Sequence, residues 1–249
     1  MSVRIYKFEE QAPGGFNDGE ILENRPVVLT GGDAQLQPYS NLFYWAHAWS
    51  DKGSTIGEHP HKAFEILSFV IKGSIEHYDS KNRKWIPLEA GDVQIIRSGS
   101  GISHSERINA GSELFQIWFD PDMTKTISMP ATYDDYKSAG FDIKTVTGFK
   151  VKTYTEDGTS FNMVSPGVSI KEIAFASGEH GYSIGESKIL SAYLIEGSIA
   201  IDGGEMKAND FVRAVGVKTL KFTANESGRL FIIETPEKPG YRTYAERYV

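Results

Sequence analysis

An all-β chain built from two domains of one architecture is what this sequence predicts, and three observations carry the prediction. Short apolar runs bounded by turn residues recur along the chain, which holds 25 Gly and 10 Pro among its 249 residues. Helical periodicity is scarce. An internal repeat completes the set: Phe69-Val70-Ile71-Lys72-Gly73-Ser74-Ile75 is echoed by Tyr193-Leu194-Ile195-Glu196-Gly197-Ser198-Ile199, 124 residues further on. The echo continues, as Ala90-Gly91-Asp92-Val93 recurs in Ala208-Asn209-Asp210-Phe211 and Glu113-Leu114-Phe115 in Arg229-Leu230-Phe231. The offset shrinks along the way, as it does when the second copy has shorter hairpin loops. Domains spanning 1–125 and 126–249 are each of ordinary size for a β fold.

Taken from the amino terminus, Met1 to Phe8 alternates as a strand does and lacks the apolar stretch of a secretory signal, which points to the cytoplasm. No run approaches the roughly 18 apolar residues of a membrane span. Strands follow at Phe64 to Ile71, Ser74 to Tyr78, Val93 to Arg97 and Glu113 to Phe119. The longest basic run, Lys81-Asn82-Arg83-Lys84, sits at a hairpin tip and reads as a solvated turn. With a formal net charge of −7 and no clustered basic surface, direct nucleic-acid binding is not expected. Residues 120–140, which carry Pro121 and Pro130, read as a connector. Within it Thr132 to Tyr136 is the best helix candidate, and reads better as a turn.

The chain has no cysteine, so any metal must be held by nitrogen and oxygen donors. Such donors occur in two pairs, His59-Pro60-His61 and His104-Ser105-Glu106. Members of a pair lie two residues apart, so in a strand both project from the same face. Two such strands meeting inside a barrel would bring three imidazoles and a carboxylate to one point, a donor set suited to a divalent first-row ion and not to Ca or Mg. Four protein ligands on an octahedral ion leave two positions open for chemistry. Projected onto the second copy, the four positions fall on Ser183, Gly185, Phe222 and Ala224, and His180 is the one histidine of that half. One metal per chain, in the first domain, is therefore expected. Glu65 shares strand parity with the first pair and is expected to hydrogen-bond a ligand histidine. His77 is expected to pair with Asp79, while His47, Phe43, Trp45, Trp49, Gln116 and Trp118 read as core in preference to pocket.

A strand, a Gly-Ser turn, a second strand and an Ala-Gly-Asp-Val run before a late histidine follow the plan of a cupin barrel. The blocks His59-Pro60-His61-Lys62-Ala63-Phe64-Glu65, Gly91-Asp92-Val93-Gln94 and Ser98-Gly99-Ser100-Gly101-Ile102-Ser103-His104-Ser105-Glu106 resemble the pirin family. The resemblance is close over residues 53–121 and weaker over the second half. It implies a bicupin, two tandem cupin-type β-barrels of the double-stranded β-helix (jelly-roll) kind, with metal ligands in the amino-terminal domain only. His59, His61, His104 and Glu106 are the implied ligands, and iron the implied metal, with Ni, Co, Mn, Zn or Cu as alternatives. Some pirins open the flavonol quercetin with dioxygen, and others act as regulators through protein partners. The expectation is a metal-dependent dioxygenase of the quercetin 2,3-dioxygenase type, taking a small planar phenolic and dioxygen, with Glu106 as the catalytic proton acceptor. The alternative is a metal- or redox-sensing regulator that works through a protein partner. Lys62-Ala63 stands where pirins often carry Arg-Gly, and the stretch through Leu42-Phe43-Tyr44-Trp45 lacks the usual Asp-Pro-Phe; both departures touch the pocket rim and not the ligands. A cavity of several hundred cubic ångströms beside the metal would separate catalyst from sensor.

Overall fold

A computed structural model describes residues 2–29, 36–156, 159, 161–202 and 204–247. The chain is all-β, as its punctuated apolar runs predict. Strands of the first half are β1 (Ser2–Tyr6), β2 (Ala12–Phe16), β3 (Ile21–Val27), β4 (Leu42–Ser50), β5 (Ser54–His61), β6 (Glu65–Lys72), β7 (Ser74–Asp79), β8 (Trp85–Glu89), β9 (Val93–Arg97), β10 (Ile102–Ile108) and β11 (Ser112–Phe119). Those of the second are β12 (Thr132–Tyr136), β13 (Ile143–Val146), β14 (Phe149–Thr155), β15 (Ser169–Phe175), β16 (Gly178–Ser183), β17 (Lys188–Glu196), β18 (Ser198–Ile201), β19 (Gly204–Lys207), β20 (Phe211–Val215), β21 (Thr219–Ala224) and β22 (Gly228–Pro236). Among the described residues no helix is long and apolar enough to cross a membrane.

Two compact units result, each made of a seven-stranded and a four-stranded antiparallel sheet. One has the orders β12-β9-β6-β11-β4-β3-β2 and β5-β10-β7-β8; the other has β1-β20-β17-β22-β15-β14-β13 and β16-β21-β18-β19. The orders correspond position for position, which is the structural form of the sequence repeat. The turn shared by both copies explains its Gly-Ser: Gly73 and Gly197 have φ of +70° and +94°, and a Cβ at Gly73 would lie 2.9 Å from that of Ser112.

The units do not part at residues 125 and 126. Met1–Glu10 belongs with Phe141–Asn162 and Pro166–Gly240, whereas Gln11–Gly140 is joined by Met163–Ser165 and Tyr241–Val249. Strand pairing is the cause. β1 pairs with β20, Tyr6 opposite Phe211, and β12 pairs with β9, Tyr136 opposite Val93, in the same register. Thr132 to Tyr136 is thus a strand, neither the helix nor the turn its sequence suggested. Each edge strand is fixed by the repeated aspartate. Asp92 accepts from the backbone N–H of Glu89 (3.0 Å) and Ser138 (2.8 Å) and from Lys137 Nζ (2.9 Å). Asp210 accepts from Lys207 N (3.0 Å), Phe8 N (2.9 Å) and Lys7 Nζ (3.0 Å). A buried carboxylate with three charge-assisted bonds holds a strand end at both places.

The inward-facing rows of the two units differ. In the second unit Leu190, Ala192 and Leu194 on β17, Leu220, Phe222 and Ala224 on β21, and Leu230 and Ile232 on β22 join one continuous apolar core. Each large side chain there contributes roughly 1.5 to 3 kcal/mol on burial. In the first unit the described apolar clusters include one holding Val70, Ile75, Ile108 and Leu114 and another holding Ile66, Ile96 and Ile102. Between them, at the alternate positions of the same strands, lie Ser68, His77, Gln94, His104, Glu106 and Gln116. A belt of polar groups across a barrel core is costly unless its members are satisfied, so this belt marks where function was placed.

Candidate metal centre

β5 and β10 bring the two sequence pairs together. They run antiparallel with His104 opposite His59 and Ile102 opposite His61, and a bulge between His104 and Glu106 places Glu106 opposite Ile56. On its other side β10 pairs with β7, setting Glu106 opposite His77 and His104 opposite Asp79.

The three imidazoles of His59, His61 and His104 form a near-equilateral triangle, with ring centroids 4.5, 4.8 and 4.8 Å apart. One donor atom from each lies within 4.8 Å of the others. His59 donates Nδ1–H to the carbonyl of Gly57 (2.8 Å), which leaves its Nε2 lone pair facing His104 Nε2 at 3.0 Å. Nε2 of His61 and Nδ1 of His104 are buried and make no hydrogen bond within the protein. Burial, reinforced by the neighbouring imidazoles, pushes His61 down to about 3 and His104 to about 2. The rings of His61 and His104 are thus held neutral, the form that binds a metal.

Glu106 is 1% exposed. Its Oε1 accepts from Ser68 Oγ (2.8 Å) and Gln94 Nε2 (2.9 Å), and its Oε2 from Gln116 Nε2. All three partners are neutral, and among the described residues no ion pair reaches this carboxylate. Its donor oxygen groups within 4.8 Å of His77 and His104, not with His59 and His61. The structure therefore gathers the three histidines as the sequence implied and sets Glu106 on the inner side of His104.

Among the described residues Glu65 makes no hydrogen bond to His59, His61 or His104. The chain turns between His61 and Glu65, with Ala63 at φ +75°, so the parity argument fails and Glu65 begins β6 in the other sheet. Wholly buried, it accepts from the N–H of Val164 (2.7 Å) and Ser165 (2.6 Å). His77 does pair with Asp79, Nε2 to Oδ2 at 3.0 Å, yet its Nδ1 is buried without a partner. His47 packs against Trp49 and Phe115 and contacts Glu113 at 3.3 Å, a core position. Gln116 and Trp118 were undervalued as core. Trp118 Nε1–H donates to Gln116 Oε1 (3.0 Å), which fixes the amide that holds Glu106, and its ring stands edge-on to His61 at 4.8 Å. Their alternation with the aromatic Phe115 and Phe119 hid them.

In the second unit the strand registers put Tyr182, Ile184, Leu220 and Phe222 at the places of His59, His61, His104 and Glu106, replacing the projected Ser183, Gly185 and Ala224. His180 donates Nε2–H to the carbonyl of Ala176 (2.8 Å) among Phe149, Phe175 and Phe222, and joins no cluster of metal donors among the described residues. An open hollow of about 500 Å³ adjoins the histidine triangle in the first unit, lined by Pro60, His61, Lys62, Ser80, Gly101, Ile102 and Ser103.

A family model described as pirin matches residues 34–119, the span that contains every one of these histidines of the first unit and Glu106. Over that span the chain is similar to the pirin family. It is 29% identical over 212 residues to a putative quercetin 2,3-dioxygenase of Pseudomonas aeruginosa, covering 81% of the chain and 86% of that relative. It is 43% identical over 76 residues to a quercetin 2,3-dioxygenase of Escherichia coli, which is 29% of the chain and 32% of the relative. The bacterial pirin YhhW of Escherichia coli, solved in complex with nickel(II), shares the fold of the chain with a TM-score of 0.77 at 20% identity, over 94% of the chain and 99% of YhhW.

Proposed function

We propose that the first unit of this chain holds one divalent first-row transition ion on His59, His61 and His104, with Glu106 as fourth donor, and catalyses oxidative opening of a planar phenolic such as a flavonol by dioxygen. The second unit, whose equivalent positions are apolar, is the domain without a metal. Iron is the first choice of ion, with Ni, Co, Mn, Zn and Cu as alternatives, and the cytoplasm the site of action. One observation carries the reading: the imidazoles of His59, His61 and His104 converge within 4.8 Å of one another, with His61 Nε2 and His104 Nδ1 unpaired, beside a hollow of about 500 Å³ that His61 walls. That volume lies in the range of small-molecule sites, and the hollow is open to solvent. The names of the quercetin dioxygenase relatives agree with the reading.

The residues present fit such an ion. Glu106 supplies a buried negative charge that its neutral partners do not compensate, and the imidazoles supply bare nitrogens. When bound, the ion supplies Lewis acidity that lowers the pKa of a phenolic hydroxyl near it. Ser68, Gln94 and Gln116 hold the Glu106 carboxylate on the inner side of His104, so the role of proton acceptor requires it to swing toward the hollow. Ile102, packed with Phe64 and Trp118 in one apolar cluster, gives a flat substrate an apolar wall. The exposed Lys62 at the rim offers a positive charge to the phenolate.

Protein purified without added metal, analysed for its elements and then assayed for oxygen uptake with quercetin, tests the proposal. Quercetin-dependent uptake that is lost in His61→Ala supports it. A metal-loaded protein that consumes no oxygen with quercetin or other planar phenolics overturns the catalytic reading, and protein that takes up no divalent ion overturns the site.

A further inference from the structure

We propose that the first unit contains a second, fully buried seat for a divalent first-row transition ion, formed by His77 Nδ1, His104 and the Glu106 carboxylate. His77 and His104 are 0% exposed and Glu106 1%, and their donor atoms lie within 4.8 Å of one another. An ion about 2.0 to 2.1 Å from each would set them roughly 3 to 3.5 Å apart, a contraction within reach of torsions in Glu106 and His104.

His77 is prepared as a ligand. Its Nε2–H donates to Asp79 Oδ2 at 3.0 Å, and Asp79 is itself immobilised by Lys81 N (2.8 Å), Asn82 N (2.6 Å) and Asn82 Nδ2 (2.9 Å). These bonds keep Asp79 ionised, and an ionised carboxylate at Nε2 fixes the tautomer that leaves the lone pair on Nδ1. Stacking on Tyr133, 4.6 Å away and inclined by 11°, fixes the ring plane. A histidine whose far nitrogen is anchored to a carboxylate while its near nitrogen is bare is the arrangement that supports metal ligation. A core histidine kept only for packing would have both nitrogens satisfied; Nδ1 of His77 and of His104 are not.

Charge points the same way. Glu106 is a buried carboxylate bonded only to neutral groups, and an ion between it and the two imidazoles would compensate it. In the second unit the three positions are Ile201, Leu220 and Phe222, so the whole set is replaced together by apolar side chains. None of the three donors lines the hollow. Because His104 belongs to both donor sets, an ion in the inner seat vacates the outer one, which removes it from substrate. The seat shares His104 and Glu106 with the proposed catalytic site and requires no turnover.

The test uses the full chain carrying His59→Ala and His61→Ala, stripped of metal and titrated with cobalt(II), read by equilibrium dialysis and visible absorption. One equivalent of cobalt is expected to remain bound, and adding His77→Gln to weaken it by roughly tenfold or more, with Asp79→Asn weakening it about 10- to 100-fold. Loss of all cobalt from the folded double variant, while the wild type binds one equivalent, overturns the inner seat and leaves the catalytic reading standing. Binding indifferent to His77→Gln also overturns it. A wild type that takes up no cobalt ends both. Should circular dichroism show the double variant unfolded, anomalous scattering at the cobalt edge from wild-type crystals decides: density between His77, His104 and Glu106 supports the seat, and density confined to the histidine triangle refutes it.

Discussion

His104 shows most directly how burial shapes the chemistry of single residues here. Its imidazole is held near 2 and that of His61 near 3, far below the ordinary 6.5. In the unfolded chain both protonate as pH falls through 6.5, whereas the folded metal-free protein keeps them neutral. Stability is therefore complete above about 6.5 and declines with acidification, by up to about 1.4 kcal/mol per pH unit for His104 alone. Urea midpoints of metal-free protein between pH 8 and 4 should show this slope, and His104→Gln should flatten it by close to one proton. Glu106 is a buried carboxylate bonded only to neutral groups. Glu106→Gln removes an uncompensated buried charge, so the metal-free protein should be as stable as wild type or up to about 2 kcal/mol more so. Calorimetry should meanwhile show divalent-ion affinity reduced by roughly 100-fold or more. The two pairs at 59/61 and 104/106 were legible because strand geometry needs only a spacing of two. Glu65 is not legible from spacing because one turn at Ala63 reverses parity, and the role of His77 is not, because a pairing with Asp79 accounts for one nitrogen and says nothing about the other.

Among elements, the segments that dock onto the first unit were invisible to periodicity. Glu65 accepts two backbone N–H groups from Val164 and Ser165, and Asp120 accepts those of Tyr244 (2.5 Å) and Ala245 (3.2 Å). A carboxylate holding irregular backbone leaves no apolar pattern to read. Glu65→Ala would orphan two N–H groups at a wholly buried site and is expected to cost about 2 to 4 kcal/mol, measured by chemical denaturation, with the number of divalent ions bound unchanged. β12 was missed for a related reason. It is an edge strand whose Asp134 and Asp135 face solvent, so it lacks the alternation by which β6 and β11 announce themselves. The repeated Asp92 and Asp210, by contrast, stood in the sequence echo from the start, and only their partners Lys137 and Lys7 required the structure.

For the molecule as a whole, the repeat predicted two like units correctly and their borders incorrectly, because a linear echo cannot say with which copy an edge strand pairs. Deleting residues 2–8 should therefore disturb the carboxy-terminal half. Hydrogen exchange should quicken in Phe211–Val215, which loses β1 as its edge neighbour, while exchange across Gln11–Gly140 and the uptake of a divalent ion stay unchanged. If exchange quickens instead in the amino-terminal half, the assignment of β1 is wrong. This exchange of leading strands also bears on ancestry. A gene encoding one such barrel, whose opening strand completed the sheet of a twin, would need only duplication and fusion to give the present chain. The polypeptide then amounts to two copies that trade leading strands along one thread, one with a polar belt and the other filled with hydrocarbon.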